Sequence, residues 1–129
     1  MIYGMGTDLV EVSRIEKILE RWGEKFIARV YSPIETHYCQ TKAFPSIHFA
    51  ARFAAKESFL KSLGIGLGMG VALKDIELVN NEQGRPVMKL HRGAENRLRE
   101  AGVTGVHVSL THTRTYASAV VILEKEEPV

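Results

Sequence analysis

The segment from Pro45 to Leu63 constrains the fold most, because it predicts one long helix with two dissimilar faces. Its large apolar side chains share a stripe about 80° wide when successive residues are set about 100° apart, and they are Phe49, Phe53, Leu60 and Leu63. The opposite face is small enough to pack closely against another chain or helix, and it consists of Ala51, Ala54, Ala55, Ser58 and Ser62. The glycine-rich segment 64–70 then ends the helix.

Three charged residues interrupt or border the apolar stripe. Lys56 lies within it, and Arg52 and Glu57 lie on its two flanks. One interpretation is that Lys56 extends its stem along apolar surface with its ammonium in water, while the other two are ordinary surface charges. The other is a polar cleft beside the core, because a buried ionised group needs a partner. There Arg52 and Lys56 meet an anion and Glu57 faces a cation, as in a phosphate–metal site.

The order of the remaining elements predicts an α+β fold. Helices are predicted from a Ser13 capping box to Trp22, over 24–31, from Pro33 with Ser32 as cap, over 45–63 and over 92–102. Strands are predicted over 1–9, 72–79, 87–91, 106–112 and 116–124. Because most helices precede most strands, we expect a single domain over residues 1–129, with the long helix packed on a small antiparallel sheet.

Composition excludes several classes of function. The chain has 129 residues, with 17 basic and 15 acidic side chains and a net charge of +2, which is too balanced for a general nucleic-acid binder. Its apolar stretches are short, so no membrane span is expected, and the start lacks the basic lead of a secretory signal. Cys39 is the single cysteine, which excludes an internal disulfide, fits a reducing compartment such as the cytoplasm and indicates a semi-buried thiol.

Asp8 is the best second carboxylate for a metal site. It ends the first predicted strand, and magnesium sites use one or two carboxylates together with phosphate and water. A simple strand-end cap is an equally open interpretation of Asp8. The segment GIGLGMG (64–70) resembles a phosphate-binding loop but lacks GK[ST] and the strand-to-helix context, so a helix C-cap explains it as well.

The segment VHVSLTH (106–112) places polar side chains on one face of a strand. His107, Ser109 and Thr111 alternate with apolar residues, and His112 begins the turn. A row of neutral donors near a histidine suits a phosphate oxygen, while a sheet face open to water explains the same pattern. Nothing places a base behind Ser109, so no catalytic triad is indicated.

The first helix has a basic edge formed by Arg14, Lys17 and Arg21. The predicted buried arc of this helix consists of Val12, Ile15, Ile18, Leu19 and Trp22. The basic edge is either an ordinary solvated face or a docking ridge for an acidic partner.

Four separated segments together resemble the signature segments of bacterial holo-acyl carrier protein synthases, the short single-domain 4′-phosphopantetheinyl transferases. The segments are GTDLVEVSRI (6–15), RFAAKESFLKSLG (52–64), GRP (84–86) and VHVSLTHT (106–113). They occur in the family's order and span nearly the whole chain. The one mild departure is KES in place of the commoner KEA.

The resemblance implies a magnesium-dependent reaction in cytoplasmic fatty acid biosynthesis. The 4′-phosphopantetheine arm of coenzyme A moves to a serine of apo-acyl carrier protein, and adenosine 3′,5′-bisphosphate is the other product. The resemblance also implies a homotrimer with each site between two subunits. Neither nucleic acid nor membrane is an expected partner.

The resemblance assigns roles to individual residues. Asp8 and Glu57 hold the metal on the pyrophosphate, and Lys56 neighbours the same phosphates as a catalytic and coenzyme-binding residue. The coenzyme A site is lined by Arg52, Gly84, Arg85, Pro86, Ser109, Thr111 and His112. The first helix contacts the carrier protein through Arg14, Lys17 and Arg21.

Two other functions compete with this one. A non-catalytic module for coenzyme A or another phosphorylated nucleotide would use the same basic groups without needing the Asp8–Glu57 pair. A protein that only docks acidic helices through Arg14, Lys17 and Arg21 would leave Lys56 and Glu57 unexplained.

Overall fold

The computed structural model describes residues 1–127 and has the predicted α+β fold. The helices are α1 (Val12–Trp22), α2 (Glu24–Val30), α3 (Pro33–Gln40), α4 (Pro45–Leu63) and α5 (Arg92–Glu100). The strands are β1 (Ile2–Glu11), β2 (Ile76–Asn80), β3 (Pro86–Leu90), β4 (Gly105–His112) and β5 (Tyr116–Glu124). None of the helices within residues 1–127 is long and apolar enough to cross a bilayer.

The strands form two separate antiparallel sheets. The larger sheet has the order β1-β5-β4, and β2 pairs with β3 as an isolated hairpin. In the larger sheet Val120 pairs with Thr7 on one side and with Ser109 on the other. Helix α4 covers one face of this sheet, and the core lies between them around Phe59, Val121 and Leu123. The other face of the sheet is left open.

The small face of α4 packs against β1 of the same chain, so the expectation that it meets another chain or a helix is wrong. A Cβ atom on Gly6 would lie 1.9 Å from the carbonyl oxygen of Ser58, and one on Gly4 would lie 2.1 Å from that of Ser62. The two glycines therefore let strand and helix backbones touch. The glycines of β1 and the small residues of α4 form one contact, and a helical wheel of α4 alone does not reveal it.

We expect Gly6→Ala to destabilise the protein by about 3 kcal/mol, at the upper end of the usual cost of overpacking, because the added methyl meets rigid backbone. The matched control is Gly66→Ala, since apart from its chain neighbours no residue of 1–127 has an atom within 4 Å of a Cβ there. Chemical denaturation of both variants measures the difference. Equal free energies of unfolding for the two variants would contradict the close contact between β1 and α4.

Of the two predicted helix caps, the one at Ser32 is confirmed and the one at Ser13 is wrong. Ser32 caps α3 as expected: its hydroxyl accepts from the Glu35 amide at 3.2 Å, and the Glu35 carboxylate accepts from the Ser32 amide at 3.0 Å. The Ser13 capping box is wrong, because α1 already begins at Val12 and has no side-chain cap. The amide of Val12 donates to Thr115 at 2.8 Å, so the strand turns directly into the helix before Ser13.

Strand β2 begins later than predicted. Residues Leu73–Asp75 form a single 3₁₀ turn, and the strand starts at Ile76. The Lys56 ammonium donates to the carbonyl oxygens of Leu73 and Ile76 at 2.9 and 2.6 Å, so these carbonyls face α4 and not a neighbouring strand. Helix α5 likewise ends at Glu100, slightly before the predicted end.

Candidate functional site

Asp8 and Glu57 face each other between β1 and α4, as the sequence predicts for a shared site. The close approach of β1 to α4 sets Gly6 against Ser58, and so brings Asp8 beside the last two turns of the helix. Lys61 follows Glu57 by one helical turn and donates to an Asp8 carboxylate oxygen and to the Thr7 carbonyl, each at 3.0 Å. We call Asp8, Glu57 and Lys61 the carboxylate cluster.

The surroundings of Glu57 disfavour its negative charge. Burial raises the pKa of Glu57 above its ordinary value, and the negative charge of Asp8 raises it further. Lys61 and Arg14 act in the opposite direction but do not restore the pKa. A half-buried carboxylate whose charge is disfavoured by a neighbouring carboxylate is suited to a bound cation.

The carboxylates of Asp8 and Glu57 suit magnesium better than a metal ion that takes all of its ligands from protein. Within residues 1–127 no group of three or more histidine, cysteine, aspartate or glutamate side chains could hold a metal ion. Asp8 and Glu57 would supply two hard oxygen ligands to such an ion, and magnesium usually completes its octahedron with water and substrate phosphate.

We expect Asp8→Asn to lower the pKa of Glu57, because it removes the nearby negative charge while leaving burial unchanged. A carboxyl NMR titration measures this shift, with Glu20→Gln on exposed α1 surface as the control. Between the ordinary and the raised pKa the folded state binds more protons than the unfolded state, so stability falls as pH rises through that window. Asp8→Asn should make that fall smaller. An unchanged pKa of Glu57 in Asp8→Asn would contradict the pairing.

Lys61 was not among the predicted site residues. Its side chain is 53% exposed, while that of its partner Asp8 is 18% exposed, so the ammonium stands at the mouth of the cluster. The available signal was its spacing from Glu57, since residues four apart share one helix face.

Lys56 lies elsewhere, which corrects the predicted position of its side chain. It is fully buried and donates to Glu35 Oε1 at 2.8 Å and to two backbone carbonyls, which uses all three of its hydrogens. Burial lowers the pKa of Lys56, and the Glu35 carboxylate raises it. Lys56 is therefore neither a solvated lysine nor part of the carboxylate cluster.

A second group of side chains, which we call the basic cluster, consists of Arg52, Lys42, His48 and His112. Arg52 is 3% exposed, and its guanidinium lies 4.0 Å from the centroid of the Tyr38 ring. Its Nε has no hydrogen-bond partner among residues 1–127. Lys42 Nζ lies 4.5 Å from the same centroid. The rings of His48 and His112 are 5.4 Å apart.

The basic cluster is suited to an anion. Arg52 makes no ion pair with any residue of 1–127, although a buried charge normally has a partner. Burial lowers the pKa of His48, and the positive charges of His112, Arg52 and Lys42 lower it further. A phosphate group would pair with the guanidinium and offset this repulsion.

The two clusters lie on different sides of α4. Arg52 and Glu57 are five residues apart, which places them about 140° apart around the helix. Asp8 lies on the edge strand β1, and His112 lies on β4 at the opposite edge of the sheet. One chain therefore does not bring all of the predicted site residues together.

The other residues predicted to bind coenzyme A lie on β4 or on the β2–β3 hairpin beside it. Gly84, Arg85 and Pro86 line a surface cavity of about 570 Å³ at the turn of the β2–β3 hairpin, which packs beside β4. Ser109 and Thr111 are exposed on the open face of the sheet, as the alternation predicted.

Two further predictions concern the loop after α4 and the cysteine. Gly64 adopts a left-handed conformation with φ of 73° and caps α4, so the C-cap interpretation is confirmed. Cys39 is fully buried, and burial raises the pKa of its thiol to about 12, which makes it an inert core residue rather than a semi-buried one.

The basic edge of α1 is exposed as predicted at Arg14, Lys17 and Arg21. Trp22 is 51% exposed, so its predicted place in the buried arc is wrong. Helix α1 ends there at the surface, and the guanidinium of Arg21 lies 5.1 Å from the centroid of the Trp22 ring.

Known proteins match this arrangement over nearly the whole chain. Residues 4–121 match the model of the 4′-phosphopantetheinyl transferase superfamily, and the chain belongs to this family. It is 58% identical to the holo-[acyl-carrier-protein] synthase of Syntrophus aciditrophicus, over 96% of this chain and 97% of the relative. It is 46% identical to that of Geobacter sp. strain M21, over 97% of this chain and 100% of the relative.

Solved structures of holo-[acyl-carrier-protein] synthases are similar to this fold. The fold is similar to a crystal structure of holo-[acyl-carrier-protein] synthase from Neisseria meningitidis, with a TM-score of 0.89 and 32% identity over 97% of this chain and 100% of that one. It is also similar to the Bacillus anthracis synthase in complex with coenzyme A (3′,5′-ADP), with a TM-score of 0.80 and 33% identity over 98% of this chain and 99% of that one.

Proposed function

We propose that this protein is a single-domain holo-[acyl-carrier-protein] synthase, which moves the 4′-phosphopantetheine arm of coenzyme A to a serine of apo-acyl carrier protein. The observation that carries the proposal is the pairing of Asp8 with Glu57 beside Lys61, in a chain 58% identical to a relative of that name. We further propose that the reaction serves fatty acid biosynthesis in the cytoplasm.

The reaction exchanges one phosphorus–oxygen bond for another. The serine oxygen bonds to the phosphorus that bears the pantetheine arm, and the bond from that phosphorus to the bridging pyrophosphate oxygen breaks. The serine releases its proton to water, and adenosine 3′,5′-bisphosphate leaves with the bridging oxygen and its electron pair. The attacking hydroxyl belongs to the carrier protein, so this chain needs no nucleophile of its own.

The carboxylate cluster supports this chemistry by holding charge in place. Asp8 and Glu57 would hold magnesium, which when bound offsets the negative charge of the pyrophosphate. Lys61 replaces Lys56 in the proposed phosphate contact, because its exposed ammonium is free to turn from Asp8 toward a phosphate oxygen. Lys61 would then neutralise charge that develops on the leaving group.

The basic cluster supports binding of another phosphate of coenzyme A. Arg52 offers an unpaired Nε, and His112 lies at the end of β4 near the exposed Ser109 and Thr111. We propose that these residues, together with Gly84, Arg85 and Pro86 of the hairpin turn, bind the nucleotide part of coenzyme A.

A homotrimer explains why the proposed site residues are divided between two sides of α4. The open face of the sheet exposes Met5 and Leu9, at 59% and 66%, and so lacks cover in a single chain. A threefold arrangement repeats one heterologous contact around a closed ring. In our proposal each site takes its carboxylate cluster from one subunit and its basic cluster from the next.

The exposed basic edge of α1 supports contact with an acidic carrier protein. We expect Arg21→Glu with Lys17→Glu to raise the KM for carrier protein about tenfold and to leave the KM for coenzyme A unchanged, because charges at the rim of an interface act mainly on encounter. Steady-state kinetics with each substrate varied in turn measures the effect, and Arg99→Glu on α5 is the charge-reversal control.

Arg14 is left out of that variant because its charge also acts on Glu57. Added salt should reproduce the change, since exposed charges are screened. Equal changes in both KM values, or no response of the native enzyme to salt, would contradict the docking role.

Release of adenosine 3′,5′-bisphosphate from coenzyme A tests the proposal. We expect release only when apo-carrier protein and magnesium are both present, and loss of release when a chelator is added. A non-catalytic coenzyme A module would bind the nucleotide without releasing it and would not respond to magnesium. A protein that only docks acidic helices would bind the carrier and ignore coenzyme A.

A further inference from the structure

The β2–β3 hairpin is joined to the body of the protein through a buried ion pair. Within the described part of the chain, residues 1–127, its two strands pair only with each other, so no strand of the larger sheet holds it by backbone hydrogen bonds. Lys56 donates to the carbonyls of Leu73 and Ile76, and Glu35 Oε2 accepts from the amide of Leu78 at 3.2 Å. These three bonds fix the start of the hairpin to α3 and α4.

The ion pair joins segments that are far apart in sequence. Lys56 and Glu35 are both fully buried and lie 2.8 Å apart. Glu35 Oε1 also accepts from the amide of Ser32, so the pair connects the first turn of α3 to the middle of α4. A buried pair of this kind contributes little net stability compared with apolar residues, but it restricts how the joined segments can be oriented.

We propose that Lys56 and Glu35 are positioning residues that set the angle of the β2–β3 hairpin and thereby place Arg85 for coenzyme A. This inference rests on the proposed function, because Arg85 is one of the proposed coenzyme-binding residues. Arg85 sits at the exposed turn of the hairpin, so a small rotation at Ile76 becomes a larger displacement at the turn. Neither Lys56 nor Glu35 touches the substrate.

Two variants separate positioning from stability. Lys56→Met removes the ties to Leu73 and Ile76 but leaves the Glu35 carboxylate buried without its partner. The double variant Lys56→Met with Glu35→Met replaces both charges by apolar groups, which usually restores stability while the ties stay broken. Lys89→Met is the control, because Lys89 is an exposed lysine on the same hairpin.

We expect the double variant to raise the KM for coenzyme A about tenfold, as loss of supporting contacts commonly does. The KM for carrier protein and kcat should stay within about twofold of the native values, because the carboxylate cluster is untouched. In an Arg85→Ala background the double variant should raise the KM for coenzyme A no further, because its effect acts through Arg85. Hydrogen exchange at the Leu78 amide should be faster, with β5 unchanged.

An unchanged KM for coenzyme A in the double variant would overturn the proposal, as would an equal further rise in the Arg85→Ala background. Hydrogen exchange at the Leu78 amide that stays as slow in the double variant as in the native protein would overturn it as well. If the native protein transferred nothing, the proposed function would fail instead, and the exchange measurement would still decide whether the pair holds the hairpin.

Discussion

Glu57→Gln is expected to reduce turnover by about a hundredfold or more while leaving the protein at least as stable as the native chain. The carboxamide keeps the shape but loses the charge that a hard cation requires, and loss of even an outer contact of a metal site commonly costs 10- to 100-fold. Stability should not fall, because the raised pKa of Glu57 means that its charge is disfavoured in the folded state. Activity assays with limiting magnesium, paired with thermal unfolding, measure both effects.

Asp8→Asn should lose turnover to a similar extent, since both carboxylates are assigned to one ion. Glu16→Gln is the matched control, because it removes an exposed carboxylate of α1 outside the cluster. Near-native activity of either cluster variant with magnesium limiting would contradict the metal assignment.

Two inactive variants are expected to restore activity when they are unfolded, mixed and refolded together. One chain carries Glu57→Gln, and the other carries Arg52→Met with Arg85→Glu. In the proposed trimer each site draws its carboxylates from one subunit and its basic residues from the next. A site is therefore intact when the first subunit carries the arginine substitutions and the second carries Glu57→Gln. With equal amounts this occurs with probability one half times one half, so roughly a quarter of native activity should return.

The control mixture combines Glu57→Gln with Asp8→Asn. Both lesions lie in the same cluster, so no mixed site contains two intact carboxylates, and no activity should return. Recovery in both mixtures or in neither would show that the site is not divided between subunits as proposed. Sedimentation of a fully active monomer at assay concentration would contradict the trimer directly.

The local parts of the fold could be predicted well from sequence. The bounds of α4 follow from Pro45 at its start and from Gly64, whose left-handed conformation ends it. The cap of α3 at Ser32 was equally readable, because a capping box involves residues three apart. Such signals depend only on neighbours in the chain.

The contacts between distant segments could not be predicted in the same way. A helical wheel shows that Lys56 lies on the buried side of α4, but not that it donates there to Glu35 and to the carbonyls of Leu73 and Ile76. The small face of α4 was recognised without its partner, because the glycines of β1 are far away in sequence. Pairing of this kind is set by tertiary packing, which no local pattern encodes.

The same difference between local patterns and contacts of distant segments applies to the candidate site. Asp8 and Glu57 were predicted as a pair because two carboxylates in recognisable segments suggest one metal ion. Lys61 was not predicted, although it lies one turn from Glu57 and donates to Asp8. The separation of Arg52 and His112 from the carboxylates required the sheet order, which places β1 and β4 at opposite edges.

The mass of the carrier protein tests the proposed activity most directly. Apo-acyl carrier protein is incubated with this protein, coenzyme A and magnesium, and its intact mass is then measured. We expect a gain of one phosphopantetheine on a single serine, absent when magnesium is chelated and absent with Glu57→Gln. A carrier protein whose mass stays unchanged under these conditions would contradict the proposed transfer.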